Sequence, residues 1–488
     1  MLLTAELLLS YQRCERRAFL DVYGDPAQLD PFGDFHLKLQ QDRFAHERTV
    51  LAGKNYYRPE YRRGDWQAGD LATLELMQQG VEVIYQGVLL SEMADEEAPD
   101  ALTFLSCPDL LVKQPGESIF GDWCYVPYQI ELGRRPKQDY QIIVAFHAFV
   151  LGMVQGILPP TAWLVLRDRA PYQVNLPKIM PKMRDVVNEC IALLLQQQEE
   201  PEVFISRQRC NLCRWYSHCY TKAKFEQHLS LIPGVSPSRY SYLRSLNLTT
   251  VESLASANVD LLEPTIERDI AIQLVRQAQS VLQNQVILSE TPPFPAEALP
   301  TAPIELYFDI EAEPDIHLDY LLGVLVVDRT AKTETFYPFL AEQPEDEKLI
   351  WKQFLELVLQ YPEAPIFHFC EYEVDTVKRL AKCYKTPYDQ IEPILARFVD
   401  IHERVKQAVT LPVQSYALKH IARWLGFEWQ NPKANGQLCI YWYDQWLKVS
   451  DRNYLDAIVR YNEDDCRATL VVKDWLVNFI KDARQNPA

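Results

Sequence analysis

The sequence of 488 residues lacks any hydrophobic run that approaches the roughly 20 residues of a membrane-spanning helix. Its first residues, MLLTAELLLSYQRCERRAFL, lack a basic segment and a small-residue cleavage site, so we expect no secretion signal. Eleven cysteines are too few for a disulfide scaffold in a chain of this length. Together these absences predict a cytoplasmic protein with no membrane partner.

The chain also lacks an excess of basic residues, and its formal net charge is -18. This balance disfavours a protein that coats nucleic acid by bulk attraction. It leaves room for a nucleic-acid enzyme, because local basic patches and bound metal ions can reverse the local field. The length predicts two to four domains.

The clearest domain boundary is the segment SETPPFPAEALPTAP, which holds five prolines from Pro292 to Pro303. Such a segment is typical of a stiff, extended linker. We therefore assign residues 286–303 to a linker and residues 304–488 to a C-terminal domain.

A small helical module is predicted for residues 226–285. Pro233-Gly234 marks a tight turn, and Thr249 with Glu252 predicts a capping box for the next helix. Short helices around a glycine turn resemble a helix-hairpin-helix module, which binds a DNA phosphate through backbone N–H groups. Ser236 stands where such a turn usually has its second glycine, and a plain helical linker domain is the alternative.

Three cysteines follow a C-x2-C-x5-C pattern at Cys210, Cys213 and Cys219, and Cys14 is the candidate for a fourth ligand. Both Fe–S clusters and structural zinc accept four cysteines. One distant cysteine with a compact triple resembles the RecB-family nucleases that carry a [4Fe–4S] cluster. The resemblance implies such a cluster here, with Zn²⁺ as the alternative.

The same resemblance implies a RecB-like α/β domain of restriction-endonuclease type over residues 1–225. RecB-family nucleases gather a His, an Asp and an acidic-x-Lys strand around a divalent ion. His46 and Asp109 match the first two positions, while Gln129 and Glu131 fall at the acidic and Lys positions. The resemblance therefore implies a degenerate second site at His46, Asp109 and Glu131.

Two carboxylates lie two residues apart in the strand-like segment ELYFDIEAEPD. Alternation along a strand points Asp309 and Glu311 from the same face, although neighbouring like charges cost stability. Near the C-terminus, the helical segment YLDAIVRYNEDDCRATL places Tyr461 and Asp465 four residues apart on one face. Asp464, about 100° away around the helix, is expected to face solvent.

A further acid is predicted where the strand in IFHFCEYEVDTVKRLA runs into a helix. Glu373 lies at the start of that helix, with Asp375 as the alternative. The two are about 200° apart around a helix, so one of them at most faces a shared site.

The D-x-E strand, the middle acid and the late Y-x3-D helix resemble the DnaQ-like 3′–5′ exonucleases of the DEDDy type, on an RNase H-like fold with a mixed sheet. The resemblance implies that four acids bind two Mg²⁺ or Mn²⁺ ions while Tyr461 orients the attacking water. The four acids are Asp309, Glu311, Glu373 and Asp465. Cations between these carboxylates would relieve their repulsion.

Along nearly its whole length the chain resembles a family of RecB-like putative nucleases. The segments HFCEYEVDTVKRLA, LPVQSYALKHIARWLGF and YNEDDCRATLVVKDWL carry this resemblance. Members join a RecB-type domain with iron–sulfur cysteines to an RNase H-like domain, and some also carry a helicase. The resemblance implies a metal-dependent 3′–5′ exonuclease that acts on nucleic acid, DNA rather than RNA, with a helicase as candidate partner. The alternatives are an N-terminal nuclease that uses Asp109 and Glu131, and a non-catalytic nucleic-acid-binding adaptor for a helicase.

Overall fold

The computed structural model describes residues 1–93, 102–197, 199–289 and 299–485. The chain divides into two compact units, Met1–Lys222 and Ala223–Ala488. Both units combine helices with sheets, so the predicted α/β class is confirmed. In the described ranges, no helix is long and apolar enough to cross a membrane.

The first unit alternates short strands with helices. In chain order these are β1 (Leu2–Thr4), α1 (Ala5–Arg13), α2 (Glu15–Tyr23), α3 (Asp34–Leu51), α4 (Trp66–Gln78), β2 (Val83–Tyr85), β3 (Leu89–Met93), β4 (Leu102–Ser106), β5 (Leu110–Ser118), β6 (Gly121–Ile130), α5 (Gln138–Gln155), β7 (Trp163–Val165), β8 (Tyr172–Gln173), α6 (Leu176–Ile191), α7 (Arg207–Cys210) and α8 (Tyr216–Phe225).

Two mixed sheets organise this unit. One has the order β1-β4-β3, with β4 parallel to β1 and antiparallel to β3. The other has the order β2-β5-β6-β7-β8, in which β6 and β7 pair in parallel and the remaining pairs are antiparallel. Helix α5, buried over most of its length, packs against strands of both sheets and forms the centre of the core.

The second unit begins with short helices and continues with a second α/β arrangement. In chain order its elements are α9 (Pro237–Ser245), α10 (Val251–Ala255), α11 (Val259–Leu262), α12 (Arg268–Gln283), β9 (Ile287–Leu288), β10 (Ile304–Glu313), β11 (Leu318–Asp328), β12 (Thr333–Leu340), α13 (Glu347–Gln360), β13 (Ile366–His368), α14 (Tyr372–Cys383), α15 (Tyr388–Leu395), β14 (Phe398–Asp400), α16 (Ile401–Ala408), β15 (Val409–Thr410), α17 (Leu418–Trp424), α18 (Gly436–Val449) and α19 (Arg452–Gln485).

The predicted helical stretch of residues 226–285 holds α9 to α12, but its predicted capping box is wrong by one residue. Helix α10 starts after Thr250, whose hydroxyl accepts from the N–H of Ser253 at 3.2 Å. The Ser253 hydroxyl accepts in return from the N–H of Thr250 at 3.1 Å. The box therefore uses Thr250 and Ser253, and Thr249 and Glu252 do not form it.

The predicted linker lies mainly at residues 290–298, outside the described residues. Its first part contains strand β9, which pairs antiparallel with β15. Ile287 and Leu288 of the predicted linker thus form one strand of a two-stranded sheet in the second unit.

A five-stranded sheet of order β12-β11-β10-β13-β14 forms the centre of the second unit. Strands β10, β11 and β12 form an antiparallel meander, while β13 and β14 run parallel to β10. Leu306, Phe308 and Ile310 of β10 face one core layer, and Tyr307 faces the other, which includes residues of α19. Because side chains alternate along a strand, Asp309 and Glu311 continue the face toward α19.

A buried ion pair joins β10 to α19. Lys473 Nζ lies 2.7 Å from Glu305 Oε1, and each side chain is 1% exposed. Arg329 donates from Nε to the other oxygen of Glu305 at 2.8 Å. The paired charges fix the last helix across the face of the central strand.

Candidate metal centre

Three carboxylates converge where β10 passes beneath α19. Asp309, Glu311 and Asp465 each offer one oxygen, and these oxygens all lie within 4.8 Å of one another. Two come from alternate positions of one strand and the third from a helix that packs on that strand. This spacing would let one divalent cation contact all three side chains.

The electrostatics of this trio favour a bound cation. Burial, followed by the charges of Asp465 and Glu311, raises the pKa of Asp309 well above its usual value. Burial and then the charge of Asp465 raise the pKa of Glu311 in the same way. Burial also raises the pKa of Asp465 to about 7. A cation among these oxygens would offset both the desolvation and the mutual repulsion.

Glu373 of α14 does not join the trio at metal-ligand spacing among the described residues. Its side chain is buried, and its charge adds to the rise in the pKa of Asp309. His368 Nδ1 lies 3.4 Å from Glu373 Oε2 but makes its shorter contact, 2.6 Å, with the carbonyl of Cys370. Glu373 Oε2 is therefore a buried oxygen without a hydrogen-bond partner among the described residues, which suits a metal ligand. The alternative, Asp375, has a side chain that is 74% exposed.

Two aromatic side chains hold Asp465. Trp429 donates from Nε1 to Asp465 Oδ1 at 2.7 Å, and a hydrogen bond from Tyr461 also opposes the rise in the pKa of Asp465. Burial and the charge of Asp465 keep the pKa of the Tyr461 phenol well above its usual value, so the phenol is a donor. Lys419 Nζ lies 5.5 Å from the centre of the Tyr461 ring.

The prediction that Asp464 faces solvent is wrong. Its side chain is 4% exposed and accepts from the N–H of Gln430 at 2.8 Å and from the Gln430 amide at 3.0 Å. These bonds anchor the segment that carries Trp429 to α19. The two neighbouring acids of this helix therefore have different roles. Asp464 anchors a loop, and Asp465 is a member of the carboxylate trio.

Asn462 and Trp429 are two polar partners of the trio that the sequence reasoning missed. Asn462 donates from Nδ2 to Asp309 Oδ2 at 2.7 Å. A signal for it existed: Asn462 lies three residues before Asp465 and so shares its helix face. Gly323 was a second signal. It is the one glycine in β11, and a glycine within a strand often marks a place where another part of the chain approaches the backbone closely.

The four predicted cysteine ligands lie together in the first unit. Cys14, Cys210, Cys213 and Cys219 line one small cavity. No three of the ligand atoms lie within 4.8 Å of one another in the described part of the chain, where the carboxylate trio meets that condition. Burial raises the pKa of Cys213 to about 11.

The N-terminal candidates are arranged differently. Asp109 accepts from the N–H of Ile130 at 2.6 Å and lies 3.1 Å from Arg43 Nη2. Arg43 also pairs with Glu47 at 2.9 Å. A guanidinium group thus already supplies a positive charge at this carboxylate.

The other two members of the N-terminal set do not join Asp109 in a group of metal-ligand spacing within the described residues. Glu131 is a partly buried carboxylate whose Oε1 accepts from Gln129 Nε2 at 3.3 Å. His46 lines a separate cavity with Arg167, and burial followed by the charge of Arg167 lowers its pKa.

The C-terminal geometry agrees with a match to a known family model. Residues 306–477 match the model RNase_H_2 of the RNase_H superfamily. This match indicates a hydrolase of nuclease type whose substrate is nucleic acid, and the carboxylate trio lies within the matched residues.

Two further comparisons add little to this. No curated protein matches the chain significantly. Among solved structures, the crystal structure of SSO0001 aligns with 45% of this chain and 86% of that chain, at 12% sequence identity and a TM-score of 0.24. At that score the similarity carries no argument about fold.

Proposed function

We propose that the protein is a metal-dependent exonuclease that hydrolyses nucleic acid from the 3′ end at the carboxylates of its second unit. The observation that carries the proposal is the convergence of Asp309, Glu311 and Asp465 within 4.8 Å, inside a segment of the RNase_H superfamily. The 3′ polarity rests on the DEDDy pattern, which Glu373 and Tyr461 complete.

The donor set fits Mg²⁺ or Mn²⁺. These cations prefer oxygen ligands, and the trio offers carboxylate oxygens whose charged form is costly without a cation. Glu373, a buried acid whose charge acts on Asp309, is the fourth acid of the proposed two-ion site. When bound, two ions would stabilise the charge on the attacking and leaving oxygens of a phosphodiester.

The side chains of the protein then have separable tasks. Asp309, Glu311, Glu373 and Asp465 would hold the ions. Trp429 fixes the orientation of Asp465 through its 2.7 Å hydrogen bond. The protonated phenol of Tyr461, directed at Asp465, orients the attacking water.

A cleft of about 1340 Å³ is the candidate path for the substrate, although none of the four acids is among its lining residues. Its wall includes His368, which touches Glu373, and the basic side chains of Lys378 and Lys406. Acidic residues such as Glu371 also line it, so its charge is mixed. Affinity for the phosphate backbone would therefore depend strongly on the bound ions. We favour DNA as the substrate and a helicase as partner, following the family resemblance.

For the cysteines we propose a [4Fe–4S] cluster. Tetrahedral zinc with bonds of about 2.3 Å would draw its sulfur ligands to within about 4 Å of one another. The four sulfurs line one cavity, and no three of them lie within 4.8 Å of one another among the described residues. The choice of the cluster over zinc rests on the family resemblance.

The decisive test of the nuclease is digestion of end-labelled single-stranded DNA and RNA with Mn²⁺, using the full chain. We expect products shortened from the 3′ end, and no cleavage by the double variant Asp309→Asn/Asp465→Asn. The variant Asp109→Asn is the matched control and should remain active. Loss of activity in Asp109→Asn alone would select the N-terminal alternative, and binding without turnover at every metal concentration would select the adaptor.

A further inference from the structure

We propose that Asn462 is a positioning residue of the carboxylate site, which holds Asp309 in the orientation that receives a cation. The inference rests on the proposed metal-dependent function and deepens it. Asn462 is fully buried, and its Nδ2 donates to Asp309 Oδ2 at 2.7 Å. With Oδ2 engaged by the amide, the other oxygen of Asp309 is left for the metal ion.

The fold makes room for this amide at one particular position. Gly323 of β11 is the cross-strand partner of Asp309. A Cβ atom at Gly323 would lie 1.6 Å from Asn462 Oδ1 and 2.8 Å from its Cγ. Any larger residue at position 323 would displace the amide, so the glycine and the asparagine form one arrangement.

The hydrogen-bonding capacity of the Asn462 amide is only partly satisfied at this position. Asn462 Oδ1 is a buried oxygen without a hydrogen-bond partner in the described residues, which is unfavourable for folding. An apolar side chain of similar size would avoid that cost. What the amide offers instead is N–H groups directed at acidic oxygens.

The donated N–H also places partial positive charge at a carboxylate whose neighbours carry like charge. Asn462 Nδ2 takes up one oxygen of Asp309 at 2.7 Å and leaves the negative charge of the site available for cations. Donors that orient metal ligands typically contribute 10–100-fold to metal affinity.

The test is the Mn²⁺ dissociation constant of the full chain, measured by titration calorimetry and independently of activity. We expect Asn462→Ala to weaken Mn²⁺ binding by about 10–100-fold. Gly323→Ala should weaken it similarly, because its methyl group would displace the Asn462 amide without changing any proposed metal ligand. Leu476→Ala, which removes a buried apolar side chain of the same helix, is the control that should lower the melting temperature without changing the affinity.

The double variant Asn462→Ala/Gly323→Ala separates positioning from a general structural effect. Once the amide is gone, the added methyl group keeps one close contact, at 3.1 Å to Phe336 Cε2. We therefore expect the double variant to bind Mn²⁺ about as tightly as Asn462→Ala alone. Additive losses, or unchanged affinity in Asn462→Ala, would overturn the inference. Absence of Mn²⁺ binding by the unmodified protein would instead overturn the proposed function.

Discussion

Trp429 and Asp465 are joined by a hydrogen bond of 2.7 Å from the indole Nε1 to the carboxylate Oδ1. Trp429 is 3% exposed, so water cannot replace the bond when it is lost. The segment that carries Trp429 is itself anchored to α19 through Asp464 and Gln430. The orientation of a candidate metal ligand thus depends on a loop between α17 and α18.

Replacing this tryptophan should loosen the metal site more than the fold. We expect Trp429→Phe to weaken Mn²⁺ binding by about tenfold and to cost about 1 kcal/mol of stability. Trp446→Phe is the matched control, because Trp446 donates to the carbonyl of Glu342, also at 2.7 Å, outside the carboxylate trio. Titration calorimetry and thermal unfolding of both variants decide the point, and equal Mn²⁺ affinities would contradict the role given to Trp429.

Stability without metal should fall as pH rises from about 4 to about 7. Burial raises the pKa of both Asp465 and Asp109 to about 7. The folded protein therefore binds more protons than the unfolded chain in this window, and its stabilisation is present below the unfolded pKa and lost as pH rises through the folded pKa. Denaturant unfolding across this pH range measures the effect.

Mn²⁺ binding should reverse the pH dependence of stability that comes from Asp465, and it should leave the part that comes from Asp109 unchanged. Mn²⁺ binds the deprotonated carboxylates, so its stabilising effect should grow with pH. Asp465→Asn should remove the Mn²⁺ effect and part of the pH slope, while Asp109→Asn should reduce the slope and keep the Mn²⁺ effect. A Mn²⁺ response that survives in Asp465→Asn but not in Asp109→Asn would contradict the C-terminal assignment.

Arg43 should be structurally necessary in the first unit. Arg43→Ala leaves the buried carboxylate of Asp109 without its guanidinium partner, which we expect to cost roughly 2–3 kcal/mol. The loss should be smaller at acidic pH, where Asp109 is protonated. Arg17→Ala is the control, since Arg17 and Asp21 form a half-exposed pair at 3.7 Å worth at most about 1 kcal/mol. Equal unfolding free energies for the two variants would show that Arg43 does not neutralise Asp109.

The cysteine cavity should give the protein a colour. Protein purified without oxygen should absorb near ~400 nm, where Fe–S thiolate charge transfer falls. Cys14→Ser should lose the absorbance, while Cys107→Ser, a change at a partly buried cysteine that is absent from the cavity lining, should retain it. A colourless protein with one equivalent of zinc by elemental analysis would select the alternative.

Local periodicity was sufficient to predict which of the candidate side chains share a face. Side chains alternate along a strand, so Asp309 and Glu311 had to share a face. Four-residue spacing on a helix likewise placed Tyr461 beside Asp465. The match to the RNase_H superfamily agrees with the fold class predicted from the same motifs.

What the local pattern could not supply was the set of distant partners. Asp464 was expected at the surface because a helix was assumed to bury one stripe, whereas α19 is covered on several sides. Trp429 reaches Asp465 across 36 residues of sequence, and no short-range pattern encodes that contact. Arg43 meets Asp109 across 66 residues in the same way. The shift of the capping box to Thr250 reflects a choice between adjacent threonines that the sequence leaves open.

The bond between Glu305 and Lys473 spans 168 residues of sequence and joins β10 to α19. A translating ribosome delivers β10 long before α19. Until α19 has emerged and packed on the sheet, Asp309 and Glu311 have no Asp465 beside them. Their strand also lacks the ion pair between Glu305 and Lys473. The carboxylate trio is therefore complete only after the polypeptide has folded around helix α19.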